Sequence, residues 1–269
     1  MITFPHCKIN LGLSVTEKRE DGYHNLETVF FPVPLCDVLE IGISKDGVTN
    51  FNTDGISIPG DNNNLCLRAY ELLSAEFDLP PVNIFLLKNI PLGAGLGGGS
   101  SDASHTLVML NDLFDLNLNQ KELMNYASGI GADCAFFIKN RPAFAHGIGD
   151  QLEEIKLDLS AYYIVIVKPD IHISTVEAYS GINPYHKNVS VKDIVRLSVE
   201  KWKNNLINDF ESHIFSKYPY VKKIKNILYD KGAVYASMSG SGSSVFGLFN
   251  KETDLRDEFE NCYYWSGKL

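Results

Sequence analysis

Between Ile2 and Val15 apolar and polar residues alternate as in a strand, with Lys8 and Asn10 on one face and Ile9, Leu11 and Leu13 on the other. Asp21-Gly22 marks a turn, after which LETVFFPV resumes the extended pattern. DVLEIGIS alternates again, placing Leu39, Ile41 and Ile43 on one side. The first sixty residues therefore predict a β-rich sheet. Asn62 to Asn64 can cap a helix over LCLRAYELLSAEF, whose Leu65, Ala69, Leu72 and Leu73 form a stripe. VNIFLLKNI predicts a buried strand stopped by Pro91. The glycine-rich run PLGAGLGGGSSDA follows, then a helix with Leu107, Leu110, Leu113 and Phe114 inward. A further helix spans Gln120 to Ser128, broken by Gly129 and Gly131 before Asp133.

The second half opens on AYYIVIVKPD, a buried-strand pattern, and Ser174 with Glu177 has capping-box spacing for a short helix. Amphipathic helices run to Lys231-Gly232, where glycine suits the position just past a helix end. VYASMSGSGSSVFGLF reads as strand, small-residue loop, strand. With no internal repeat and no disordered linker, a boundary near Asp150 divides the chain into residues 1–150 and 151–269.

Composition narrows the class. The 269 residues carry a formal net charge of -9, with 45% hydrophobic and 21% charged residues, an ordinary globular balance. A duplex-binding surface needs a basic stripe, and Lys222, Lys223 and Lys225 on a helical stretch read instead as a solvated face. No apolar run reaches the roughly 18 residues of a membrane span, and MITFPHCKIN lacks a signal-peptide layout. The expected location is cytoplasmic. Cys7, Cys36, Cys66, Cys134 and Cys262 are scattered, which speaks against a disulfide framework or a zinc site.

The glycine run is the sharpest chemical feature. Gly93, Gly95, Gly97, Gly98 and Gly99 remove five Cβ atoms within seven residues, letting backbone approach an anion. Ser100, Ser101 and Asp102 then open a helix whose N-terminus favours negative charge. No GK[ST] follows, so this is not a Walker A loop, and the extra glycines and serines spoil a dinucleotide fingerprint. A flexible strand-to-helix connection would look similar, but a buried strand before it and an amphipathic helix after it favour phosphate binding. On residue type alone Lys8 and Asn10 suit an exposed strand edge, Tyr23 and His24 a packed hairpin, and Asp133 either a helix cap or a proton-orienting carboxylate. His6, His105, His146, His172, His186 and His213 lack metal-ligand spacing and are left structural.

PLGAGLGGGSSDA resembles the second motif of the GHMP kinases, ASMSGSGSSVFG their third, and the strand around CKINLGL their first. The segment KINLGLSVTEKREDGYHNLETVF narrows the resemblance to the branch acting on a cytidine-diphosphate-linked methylerythritol. The motifs span essentially the whole chain. The resemblance implies an α/β (α+β) GHMP kinase fold, with an N-terminal nucleotide-binding domain and a smaller, ferredoxin-like C-terminal domain. It implies transfer of the ATP γ-phosphoryl group to the 2-hydroxyl of the methylerythritol moiety, with Mg2+ held by ATP, water and Ser101 rather than by a carboxylate cage.

By the same resemblance Lys8 and Asp133 are catalytic. Pro91, Leu92, Gly93, Ala94, Gly95, Leu96, Gly97, Gly98, Gly99, Ser100 and Ser101 bind ATP. Asn10, Tyr23, His24, Tyr179, Ser239, Gly240 and Ser241 bind the substrate, Tyr23 and His24 holding the cytosine. Cys134 stands in GADCAFF where many relatives carry an aliphatic residue, and is expected to pack. The implied partners are small molecules only, with no nucleic acid, membrane or obligate protein partner. Homoserine or mevalonate kinases are the nearest alternatives, disfavoured because their substrates offer no base to DGYH. A non-catalytic nucleotide sensor would need neither Lys8 nor Asp133.

Overall fold

Pro5 cannot donate to a ladder, and the first alternating stretch accordingly forms two strands, β1 (Ile2–Thr3) and β2 (His6–Lys18). The computed structural model describes all residues except 59–63, 183 and 185–188, so Asn62, Asn63 and His186 lie outside the described residues. After β2 come β3 (His24–Cys36), β4 (Val38–Ile43), β5 (Asn50–Gly55), α1 (Leu65–Phe77) and β6 (Val82–Lys88). Next are α2 (Gly98–Leu113), α3 (Gln120–Ile130), α4 (Cys134–Lys139), β7 (Ala143–His146) and β8 (Gln151–Glu154). The remainder supplies β9 (Tyr163–Pro169), α5 (Thr175–Ser180), α6 (Val191–Ile194), α7 (Phe210–Lys217) and α8 (Pro219–Asp230). It closes with β10 (Tyr235–Met238), β11 (Val245–Phe249) and β12 (Cys262–Lys268).

Two compact units are each assembled from separated segments. The first takes Met1–Cys7, Leu35–Leu92 and Gly97–Arg141. Its sheet has the order β1-β4-β6-β5, with β5 parallel to β6 and the other pairs antiparallel. Leu39, Ile41, Ile84 and Leu86 from the sheet join Leu73, Leu107 and Leu110 from the helices in one core. The alternation places Leu39 and Ile41 inside as expected, while Ile43 is exposed at the strand end. In α1 the buried stripe is Cys66, Ala69, Tyr70 and Leu73, spaced i, i+3, i+4 and i+7. Leu72 falls outside it and is exposed, because the helix turns Ala69 and the ring of Tyr70 into the core instead. Asn64 caps α1 by accepting from the Cys66 N–H at 2.8 Å. Gly129 lies within α3, which ends at Gly131.

The second unit takes Lys8–Pro34, Gly93–Leu96 and Pro142–Leu269. Its two sheets run β2-β3-β7-β8 and β10-β11-β9-β12. The second is antiparallel throughout, with Val165 and Val167 of β9 opposite Gly247 and Val245 of β11. Val221, Ile224 and Leu228 of α8 and Phe210 and Ile214 of α7 complete its core. Ser174 caps α5 through the Glu177 N–H at 3.1 Å. The Glu177 carboxylate turns away to Lys217 and the Tyr218 hydroxyl, so only half of the expected capping box forms. Gly232, at φ 97°, follows the last residue of α8's cap as expected.

Acid should probe the first unit. His105 of α2 is half-buried, with Nδ1 3.2 Å from the Thr3 hydroxyl. Burial, reinforced by His6, pushes its pKa from 6.5 down to about 4. The unfolded chain takes a proton near 6.5 and the fold resists it until about 4. This contribution to stability is therefore complete above the upper value and lost as pH falls toward the lower one. Denaturant unfolding between these pH values should show a steeper loss for the parent than for His105→Gln. Equal slopes would place the acid sensitivity elsewhere.

Candidate active site

The lysine and asparagine of KIN are buried rather than edge residues. Lys8 is 3% and Asn10 2% exposed, because β2 is covered on both faces over most of its length. Lys8 Nζ donates to Asn10 Oδ1 at 2.6 Å and lies 4.8 Å from the centre of the Phe30 ring. Asn10 Nδ2 donates to the Thr28 hydroxyl at 3.0 Å, and that hydroxyl donates to the Gly12 carbonyl at 2.5 Å. A buried ammonium needs such acceptors and a polarisable face to offset its lost hydration.

This chain of bonds continues into the small-residue loop after β10. The Asn10 N–H donates to the Ser239 hydroxyl at 3.2 Å, and that hydroxyl donates to the Gly95 carbonyl at 2.7 Å. The Lys8 N–H bonds the Leu96 carbonyl at 2.9 Å, and the Ser244 N–H bonds that of Ala94 at 3.2 Å. Gly95 sits at φ +74°, and a Cβ there would lie 2.0 Å from the Ser239 carbonyl oxygen. No residue with a side chain fits such a place. The loop Ser239 to Ser244 closes on itself through Ser239 N–H to Ser244 O and Gly242 N–H to Ser239 O. Ser243 spends its hydroxyl on the Ile171 carbonyl. Ser239 and Gly240 are buried and Ser241 half-buried.

Residues that sequence reading missed hold this loop. Asn208 is fully buried and donates from one amide nitrogen to both the Met238 and Gly240 carbonyls, each at 2.8 Å. Glu211 accepts from the Met238 N–H and the Ser237 hydroxyl, its other oxygen pairing with Lys225 at 2.6 Å. Lys225, one of the lysines read as a solvated face, is thus engaged. Neither Asn208 nor Glu211 stands in a motif, and no local pattern distinguishes a buried Asn or Glu from an exposed one.

Within the first unit the glycine run becomes the start of α2. Its cap, Gly97, has φ 70° and no side-chain bond, and no acidic residue stands in the first turn. The first N–H groups of α2 and its positive dipole end are therefore available to an anion. The run demands glycine differently at Gly98 than the sequence implied. Gly98 is helical, while Gly93, Gly95 and Gly97 have positive φ. A Cβ on Gly98 would meet Ile90 at 2.8 Å and Lys88 Nζ at 3.0 Å, so its constraint is packing against the strand below. The Ser101 hydroxyl is fully buried without a hydrogen-bond partner.

Asp133 is the residue before α4, where a cap would stand, yet its side chain makes no capping bond. Cys134 packs, as expected, and burial pushes its thiol up to about 11. Among the described residues no cluster of His, Cys, Asp and Glu could hold a metal ion by itself. In the second unit the His24 and Tyr179 rings stack at 4.8 Å and 22°, and Phe210 meets Tyr179 edge-on. Burial, then the charge of Lys18, lowers the His24 pKa, so a neutral imidazole faces this stack. Tyr23 is 61% exposed, and its N–H is held by Asp21 at 3.0 Å.

The chain matches the GHMP kinases N terminal domain over residues 64–141 and the GHMP kinases C terminal domain over residues 191–264. It is 53% identical over 273 residues to the 4-diphosphocytidyl-2-C-methyl-D-erythritol kinase of Bacteroides fragilis, covering all of both chains. The chain belongs to this GHMP kinase family. A crystal structure of 4-(cytidine 5'-diphospho)-2C-methyl-D-erythritol kinase is similar at TM-score 0.85 and 32% identity, covering 99% of this chain and 98% of that one. The mevalonate kinase of Methanococcus jannaschii, at TM-score 0.73 and 15% identity with 100% and 98% covered, shares the fold. The α/β GHMP architecture and the small-molecule kinase class expected from the motifs both hold.

Because Gly95 in this GHMP kinase needs both positive φ and a bare Cα, Gly95→Ala should lower the melting temperature and phosphoryl transfer together. Gly22→Ala has positive φ but open space around it, and should cost far less of either. Equal melting curves for the two variants would contradict the role of the Gly95–Ser239 contact.

Proposed function

We propose that the protein transfers the γ-phosphoryl group of ATP to the 2-hydroxyl of 4-diphosphocytidyl-2-C-methyl-D-erythritol, a step toward isoprenoid precursors. The observation that carries it is the buried Lys8–Asn10 pair, tied through Ser239 to the backbone of the glycine run. Phosphoryl transfer asks chiefly for positioned charge. Lys8 supplies a fixed ammonium for the moving phosphoryl group, and Asn10 holds the alcohol. Asp133 takes the hydroxyl proton as the new O–P bond forms. The bond from the γ-phosphorus to its bridging oxygen breaks, and ADP leaves.

Residues Pro91 to Ser101 receive the ATP phosphates through loop N–H groups and the start of α2. Mg2+ suits the buried, unpartnered Ser101 hydroxyl as one oxygen donor. When bound it screens phosphate charge. The His24–Tyr179 stack supports the base assignment: an aromatic face for the pyrimidine and a neutral imidazole for its polar edge. In this reading Tyr23, an exposed residue, closes over the cytosine, and Ser239, Gly240 and Ser241 line the diphosphate side. Residues 1–150 serve as the nucleotide half and 151–269 as the other. Among the described residues no helix is long and apolar enough to cross a membrane, and we place the enzyme in the cytoplasm without an obligate protein partner.

ATP consumption should be seen with 4-diphosphocytidyl-2-C-methyl-D-erythritol and not with homoserine or mevalonate. Comparable rates on all three would overturn the substrate assignment. Asp133→Asn should lower kcat about 10²- to 10⁴-fold with the KM for ATP little changed. Near-normal turnover would remove Asp133 from the proton transfer.

A further inference from the structure

In the second unit, the turn that enters α7 reaches three separate parts of the site. Asn208, Asp209, Phe210 and Glu211 are consecutive, and the Glu211 N–H closes the turn on the Asn208 carbonyl at 3.0 Å. Asn208 and Glu211 both face the loop after β10, as residues three apart on a turn can. The Asn208 amide donates to the Met238 and Gly240 carbonyls. The Glu211 carboxylate accepts the Met238 N–H at 2.8 Å and the Ser237 hydroxyl at 3.1 Å. Asp209 faces β2 instead. Its Oδ2 accepts the Val15 N–H at 2.9 Å, and its own N–H bonds the Leu13 carbonyl at 2.8 Å. The Leu13 N–H in turn bonds the Ile207 carbonyl at 3.0 Å. Phe210 points a third way: it is 2% exposed, and its ring meets Tyr179 edge-on at 4.8 Å and 79°. Tyr179 is the ring that stacks on His24.

A turn whose sole task was to start α7 would spend its polar side chains on the first N–H groups of that helix. Asp209 stands at the cap position and makes no such bond. Asn208 Oδ1 takes the Phe210 N–H at 3.0 Å, which leaves the Asn208 amide nitrogen and both carboxylates to hold other segments.

We infer that Asn208–Glu211 is a positioning turn for the substrate side of the site, in which adjacent residues hold the parts that bind the base and the parts that carry out transfer. Asn208 and Glu211 set the loop that carries Ser239, Asp209 sets the strand that carries Lys8 and Asn10, and Phe210 sets the Tyr179 ring for the base. This rests on the proposed substrate and deepens it. Each residue acts through the one it holds, so neighbours in the chain should have different kinetic signatures. Without the Phe210 edge, Tyr179 has more orientations to give up when the base stacks, and binding of the cytidine substrate weakens. Without the Glu211 carboxylate, the Ser237–Met238 backbone loosens. Ser239 follows directly and holds its hydroxyl between the Asn10 N–H and the Gly95 carbonyl. The group that orients the alcohol then shifts, and turnover falls.

Steady-state kinetics with Mg-ATP and 4-diphosphocytidyl-2-C-methyl-D-erythritol, read beside melting curves, test this in Phe210→Leu, Glu211→Ala and Glu211→Gln. Phe210→Leu keeps an apolar side chain in the core and removes the ring edge. It should raise the KM for the cytidine substrate about 2- to 12-fold. Its KM for ATP and its kcat should stay within about twofold of the parent. Glu211→Ala should lower kcat about 5- to 150-fold, the effect of orphaning a buried N–H. Glu211→Gln keeps an oxygen for Met238 and Ser237 but gives up the charge opposite Lys225. It should melt lower yet recover kcat to within about threefold of the parent. Residues that merely fill the core would lower the melting temperature and leave KM and kcat of the folded protein unchanged. That outcome in either arm overturns the inference, as does a Gln variant as slow as the Ala variant. Should Phe210→Leu or Glu211→Ala not fold, the other arm decides. Should neither fold, the kcat of Glu211→Gln decides, near the parent's in support and about tenfold lower against. A parent that transfers no phosphate to this alcohol would overturn the proposed function and the inference with it.

Discussion

One hydroxyl, that of Ser239, makes a single arrangement out of segments separated by more than two hundred residues. It donates to the Gly95 carbonyl and accepts the Asn10 N–H, while the Asn10 side chain receives the Lys8 ammonium. Removing it would leave the buried Asn10 N–H without this partner, a cost of about 1–3 kcal/mol, and would release the half-buried Gly95 carbonyl. The glycine at 95 follows from this bond, since nothing larger allows the Ser239 backbone so close. Asn208 and Glu211 follow as well. They hold the loop on the other side, so that its small residues keep one conformation rather than many.

Charge is handled by enclosure in both units. Lys8 is screened by an amide and a ring, Lys88 by two carboxylates, and Glu211 by Lys225 and a backbone N–H. Each buried charge meets a hydrogen-bond acceptor, donor or counter-charge at close range. An acidic chain with no basic stripe can in this way present positive potential locally, from helix and loop N–H groups, without a basic surface.

Much of the fold was legible from periodicity. Alternation in β2 and β4, the apolar runs of β9 and β11 and the helical period of α1 each name an element, but β2 is buried on both faces, and Leu72 and Ile43 are exposed at a helix flank and a strand end. The weaker elements escaped for physical reasons. α4 is six residues and β7 and β8 four each, too short for a period to register, and β12, CYYWSGK, is half-buried along most of its length. The capping box of Asn119 and Glu122 was present in the sequence and passed over. At the candidate site the motif residues stood out because glycine runs and KIN are rare. Thr28, Asp37, Lys88, Asn208 and Glu211 were invisible, since their partners lie between 14 and 53 residues away and only folding brings them together.

Ser239→Ala tests the arrangement most directly, with transfer from ATP to 4-diphosphocytidyl-2-C-methyl-D-erythritol followed by phosphorus NMR and folding checked by melting. Loss of about 1–3 kcal/mol of positioning should slow formation of the new phosphomonoester roughly 5- to 150-fold in a protein that remains folded. A folded Ser239→Ala protein that transfers phosphate at the parent's rate would contradict the dependence of the site on this hydroxyl.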